Sequence, residues 1–372
     1  MDFTPYRTPG QLIAALLDAR GWTQRVLAIV LDVTEPVVAK MVNDKRGIDA
    51  EMALRLSDVF KVAPEEFLYR QKDFELAVAR FKVPADPGRA TRATLFGDLP
   101  VADMIKRGWI NALMVDPKGV EAELMRFFGV ASVDEIPVLP HAAKKTEVAS
   151  PASPAQIAWI YRVKQIARGI LVGRYSPEAV RQAVEKMKPL RSSADAVRHV
   201  PRILTECGIR FAIVESLATA KIDGVCFWLN DFAPVIGMTL RHDRIDNFWF
   251  VLRHEIEHVL QRHGRDAVML DADLDAPSDV IEEERVANAA AADFCVPQAE
   301  LKKFITRKSP FFAERDLLGF AKTIHVHPGL VAGQIRHRIQ RYDRFHSHLV
   351  KIRATVTPNA FSDGWGNVAP VD

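Results

Sequence analysis

The residues best equipped for chemistry lie in one short stretch, Asn247 to His263. His254 and His258 stand four apart. On a helix that spacing separates two side chains by about 40° in azimuth and one turn in height, so both imidazoles can face a single ion. Glu255 sits about 100° away from His254, placed to act on a water at the ion without ligating it. The pattern His-Glu-x-x-His thus supplies two neutral nitrogen donors and one general base. A tetrahedral catalytic site needs a third protein ligand and an open position. Leu252, Ile256, Val259 and Leu260 recur at i, i+4, i+7 and i+8, which predicts an amphipathic helix carrying the motif. A surface helix with charged i, i+4 pairs is the alternative, and the neighbouring segments speak against it.

Those neighbours supply a third donor and a scaffold. After a polar stretch, Asp271 to Asp279, comes a segment with an acidic start, Glu282 to Glu284, and a proline stop, Pro297. Glu284 and Asn288 lie one turn apart on one face. Ala287 and Ala289 to Ala292 leave little bulk, so this helix can approach the first closely enough for Glu284 to complete a His, His, Glu set. Upstream, Arg210 to Val214, Gly224 to Leu229 and Pro234 to Leu240 read as short strands. One of them is a candidate edge for binding an extended peptide, with a purely structural role equally open.

From Ile222 to Pro297 the chain resembles the ImmA/IrrE-type metallopeptidases, which join a Phe-rich strand end, the His-Glu-x-x-His motif and a Glu-x-x-Ala-Asn-x-x-Ala helix closed by proline. Ile324 to Gly333 resembles the C-terminal helical segment of that family. The resemblance covers roughly half the chain. It implies a zincin-like domain in which His254, His258 and Glu284 hold Zn²⁺, or alternatively Mn²⁺, and Glu255 is catalytic. His263 and Asn288 are implied as substrate or outer-sphere residues. The chain departs from the family pattern at Arg253 and Glu257, a guanidinium and a carboxylate flanking the motif, which are expected to alter substrate preference.

The first 75 residues carry a different signature. Pro9 to Gly21, Thr23 to Leu31 and Thr34 to Val42 alternate helical periodicity with capping residues, and two more helices follow from Asp49 and Pro64. The Pro-Gly start, Gln24, Ala28 and the turn Asn43 to Gly47 make the segment resemble five-helix Cro/cI-type (XRE) domains, nearest to antitoxin-like repressors. Gln24, Thr34, Lys40, Lys45 and Arg46 are the candidate DNA contacts. The charge balance is unusual for a phosphate-tracking module: 10 Lys and Arg against 12 Asp and Glu in residues 1–75, a net of 10 − 12 = −2. Residues 161–192 carry eight basic residues against two Glu, and residues 336–353 carry six against one Asp; these compensate the charge or form solvated faces.

At 372 residues, 48% hydrophobic and 26% charged, the chain is large enough for two or three globular domains. No apolar run approaches the length of a membrane span, and no secretory signal opens the chain. Three scattered cysteines exclude a disulfide framework and suit a reducing cytoplasm. The expected fold is mainly α with a small β-sheet (α+β). It divides into a five-helix helix-turn-helix domain (1–75), a helical connector and linker (76–154) with three prolines between Val138 and Pro154, a metallopeptidase domain (155–345) and a C-terminal tail (346–372) expected to fray from Asn359. The functional expectation is a cytoplasmic transcriptional regulator fused to a zinc-type endopeptidase, binding operator DNA and cleaving a specific repressor or toxin, with homodimers expected. The alternative is an antitoxin-like repressor that grips a toxin with a non-proteolytic peptidase fold. A third reading makes the site a metal or redox sensor that gates DNA binding.

Overall fold

The structure is a computed structural model describing residues 7–83, 88–113, 116–137, 152–265, 269–272 and 282–370. It is mainly helical with one small mixed sheet, and its contacts divide it into two compact units, residues 1–88 and 89–372.

The first unit is five helices: α1 (Pro9–Arg20), α2 (Gln24–Val30), α3 (Glu35–Val42), α4 (Ala50–Phe60) and α5 (Pro64–Lys82). Side chains of Thr8, Thr23 and Asp49 accept from the first-turn amides of α1, α2 and α4, stabilising each start. Thr34 occupies the cap position of α3 but makes no side-chain bond. Pro36 has no amide to offer it, and the Val37 amide already donates to the Thr34 carbonyl at 2.9 Å. The Pro-Gly start is a packing requirement, because a Cβ on Gly10 would lie 2.8 Å from the Met41 carbonyl at the end of α3. Leu12, Ile13, Leu27, Val38, Met41, Leu56 and Phe67 fill a core that excludes water from all five helices. The domain boundary expected at residue 75 falls inside α5, which runs on to Lys82.

The second unit is built on a five-stranded sheet ordered β4-β2-β3-β1-β5: β1 (Arg210–Val214), β2 (Ile222–Trp228), β3 (Pro234–Met238), β4 (Met269–Ala272) and β5 (Phe361–Asp363). β1 pairs parallel with β3 and β5, while β2 pairs antiparallel with β3 and β4. Side chains alternate across this sheet. Phe211, Ile213, Cys226, Ile236 and Met238 enter one core, and Ala212, Val214, Val225, Phe227 and Val235 enter another. A sheet apolar on both faces needs helices on both faces.

The stretch expected as a connector provides one of those covers. Helices α6 (Arg89–Asp98), α7 (Val101–Lys106) and α8 (Pro117–Phe128) bury Leu95, Met104, Trp109, Leu124 and Phe128 in one core with α9 (Pro154–Gly169). Most of the proline-rich linker, residues 138–151, lies outside the described residues. The other face is covered by α10 (Pro177–Met187), α11 (Val200–Glu206), α12 (Ile245–Gln261), α13 (Glu282–Cys295), α14 (Gln298–Lys308), α15 (Glu314–Thr323), α16 (Pro328–Ile339) and α17 (Arg353–Val356).

The C-terminal segment is integral to the fold, contrary to the frayed tail expected. Asp363 in β5 is fully buried, accepting from Arg162 on α9 at 2.5 and 3.0 Å and from the Trp109 indole at 2.8 Å. Gly, Asp and Pro are loop-like in composition, but here the Asp neutralises a buried guanidinium. Arg162 consequently belongs to no solvated basic face. Among the described residues no helix is long and apolar enough to cross a membrane.

Candidate metal centre

Helix α12 presents the motif as its sequence implies. Ile245, Trp249, Leu252, Ile256 and Val259 are buried against the sheet, and His254, Glu255 and His258 are buried with them. Helix α13 crosses close by, with Ala287 and Ala291 fully buried, so small side chains let the two backbones approach. Glu284 in the first turn of α13 reaches both histidines. His254 Nε2 lies 3.2 Å from Glu284 Oε2, His258 Nε2 lies 3.4 Å from Glu284 Oε1, and the two Nε2 atoms are 2.9 Å apart. Donors at about 2.0–2.1 Å from a tetrahedral zinc ion stand roughly 3.3 Å from one another. The observed separations fit that group, and no other His, Cys, Asp or Glu cluster of this kind occurs among the described residues.

Each histidine is oriented through its other ring nitrogen. Asn288 lies one turn beyond Glu284, and its Oδ1 is 3.1 Å from His254 Nδ1. An amide oxygen only accepts, so His254 carries its proton on Nδ1 and leaves the Nε2 lone pair facing the cluster. His263 Nδ1 lies 2.9 Å from His258 Nδ1 and orients the second ring, while His263 Nε2 faces Glu283 Oε1 at 3.9 Å. Both outer-sphere residues singled out in the sequence thus sit against the ligand histidines. Glu284 keeps its side chain 22% exposed, so the cluster opens to solvent on the α13 side.

Glu255 is fully buried and held from behind by β2. A Cβ built on Gly224 would overlap Glu255 Oε1 and lie 2.9 Å from Val251 Cγ1, so a side chain there would displace the carboxylate. Sequence reasoning missed Gly224. A lone glycine inside a strand was the available signal, and it reads as close approach only once the strand is known to run under α12. Phe250 was also missed; its ring stacks beside His254 at 6.4 Å.

The two departures from the family pattern neutralise each other. Arg253 Nη2 donates to Glu257 Oε2 at 2.7 Å, and both side chains are nearly buried. Burial pushes the Glu257 carboxyl up, but hydrogen bonds from Gln261 and Arg253 and the Arg253 charge outweigh it, so the net shift is downward. The three cysteines are buried packing residues, and burial raises the Cys207 thiol to about 11.

The expected peptide-binding edge is corrected. β1, β2 and β3 are all interior strands, and the edges are β4 and β5. β4 pairs with β2, and its last two residues, Asp271 and Ala272, open the polar stretch expected as a loop; the rest of that stretch, residues 273–279, is outside the described residues.

In the first unit, Lys40, Lys45 and Arg46 are exposed and adjacent, because the turn after α3 folds back: the amides of residues 45 and 46 both donate to the Lys40 carbonyl. Thr34 is exposed, and Gln24 is half-buried at the start of α2.

Residues 13–67 match the protein family described as Helix-turn-helix. Virulence-associated protein A' of Dichelobacter nodosus is 40% identical over 70 residues, 18% of this chain and 61% of that protein. The chain therefore spans about three-fifths of the length of that curated relative. A solved structure of a putative antidote protein of a plasmid maintenance system from Nostoc punctiforme is 27% identical, covering 20% of this chain and 81% of that one, with a TM-score of 0.20. The first unit thus carries a helix-turn-helix domain.

Proposed function

We propose that the chain is a transcriptional regulator whose second unit is a metal-dependent endopeptidase acting on a specific protein. The single observation that carries this reading is the convergence of His254 Nε2, His258 Nε2 and Glu284 Oε within 3.4 Å, beside a buried carboxylate at Glu255. His254, His258 and Glu284 would hold Zn²⁺, or Mn²⁺ in the same donor set. A divalent ion there supplies Lewis-acid chemistry, acidifying water and polarising a carbonyl. Glu255 takes the proton from the attacking water and returns it to the leaving nitrogen, and burial against β2 suits a carboxylate for both tasks. Asn288 and His263 orient the ligand rings. The two units in one chain favour a narrow substrate, a repressor or a toxin partner, over general digestion.

A second reading retains weight because of the helix-turn-helix match and the antidote protein it resembles: an antitoxin-like repressor that binds a toxin without cutting it. One experiment separates the two. Purified full-length protein, with and without Zn²⁺ or Mn²⁺, is mixed with candidate repressors and neighbouring gene products, alongside Glu255→Gln. Metal-dependent cleavage lost in Glu255→Gln supports the peptidase. A stable complex without cleavage under every metal condition supports the antitoxin.

A further inference from the structure

Beside the histidine cluster lies a cavity of about 410 Å³ between the N-terminal half of α12, α13 and α16. It shares Phe250 and Asn288 with the metal centre, both of them neighbours of His254. At 1.5 Å rise per residue, Phe250 and Asp246 lie about 6 and 12 Å before His254 along α12. The cavity therefore runs away from the cluster toward the positive end of that helix.

Its charge is lopsided. Asp223 is paired with Arg241 at 2.9 Å, and Asp246 with Arg244 at 2.5 and 3.0 Å; Asp246 also acts on Arg336, so two acidic side chains in the wall face four arginines. Arg336 and Arg338 remain. Arg336 is only 3% exposed; its Nη2 donates to the Tyr342 carbonyl and lies 3.3 Å from His346 Nε2, while Nε and Nη1 find no hydrogen-bond partner among the described residues. Leaving donors of a buried cation unmade is costly unless another group satisfies them. Phe250, Ala292 and Leu330 contribute apolar wall to the same cavity.

We propose that this cavity receives an acidic side chain of the protein substrate, its carboxylate meeting the Arg336 guanidinium. A guanidinium fork favours a planar carboxylate, and the cavity is far larger than one anion requires. An extended peptide advances about 3.3 Å per residue, so the acidic residue lies roughly two to four positions from the cut bond. That position rests on the peptidase reading; carboxylate binding itself does not.

The test uses full-length protein, metal-free and zinc-loaded, in ligand-detected NMR titrations. The probes are the blocked tripeptides Ac-Ala-Glu-Ala-NH₂ and Ac-Ala-Gln-Ala-NH₂, the peptide Ac-Ala-Ala-Ala with a free C-terminus, and inorganic phosphate. The glutamyl peptide is expected to bind at least about tenfold more tightly than the other three, with or without zinc. Arg336→Met and the cavity-filling Ala292→Phe should each abolish that preference. Equal binding of the glutamyl and glutaminyl peptides, tighter binding of phosphate or of the free C-terminus, or a preference surviving both substitutions overturns the proposal. If the glutamyl preference holds while zinc-loaded protein cuts no partner, the peptidase reading fails and the carboxylate site stands.

Discussion

Replacing Asn288 by alanine isolates the group that orients a metal ligand without touching the ligands. His254 is fully buried, and its Nδ1 proton has the Asn288 oxygen at 3.1 Å. Alanine leaves that donor unsatisfied in a buried site, a cost of about 1 to 3 kcal/mol. At about 1.4 kcal/mol per decade, zinc affinity should fall roughly 5- to 150-fold, in the range found for outer-sphere partners of histidine ligands. Asn288→Asp keeps an acceptor in place, so its affinity should match or exceed that of the unaltered protein. The assay is competition with a chromophoric chelator at fixed pH, with metal-free melting temperatures confirming an intact fold. Unchanged affinity in Asn288→Ala would refute the orienting role. Equal losses in the alanine and aspartate variants would show that packing, not the hydrogen bond, is responsible.

Gly224→Ala should displace Glu255 while leaving zinc uptake intact, lowering kcat on the order of a hundredfold; an unchanged kcat would mean that β2 does not hold the catalytic carboxylate. Either Arg162→Met or Asp363→Asn leaves half of a buried ion pair and should cost about 3 to 5 kcal/mol in denaturant titrations of the second unit. A cost below about 1 kcal/mol would return the C-terminal segment to the role of a loose tail. In the first unit, alanine at Lys40, Lys45 or Arg46 should weaken operator binding and reduce the slope of log K against log salt by about 1 for each phosphate no longer neutralised. A slope unmoved by the triple substitution would place the phosphate-binding residues elsewhere.

Much of this protein is legible in local spacing. Helix caps at Thr23 and Asp49, the prolines opening α1, α3 and α5, and the four-residue interval between His254 and His258 follow from interactions within one or two turns of chain. So does the pairing of Glu284 with Asn288, whose interval places donor and orienting group on one face of α13. Such features are read without knowing what lies opposite, because the helix itself sets the geometry.

Other features were decided only by packing between distant segments. Gly224 acquires its meaning from Glu255, and Asp363 from Arg162, 201 residues earlier. Residues 89–128 look like a connector until a sheet with two apolar faces requires them as its second cover. Met269 to Ala272, at the opening of a polar stretch, became an edge strand because β2 needed a partner there. In each case the local sequence permits several states, and a buried charge, a close backbone approach or an open row of strand hydrogen bonds selects one of them through interactions that exist only after the chain has folded.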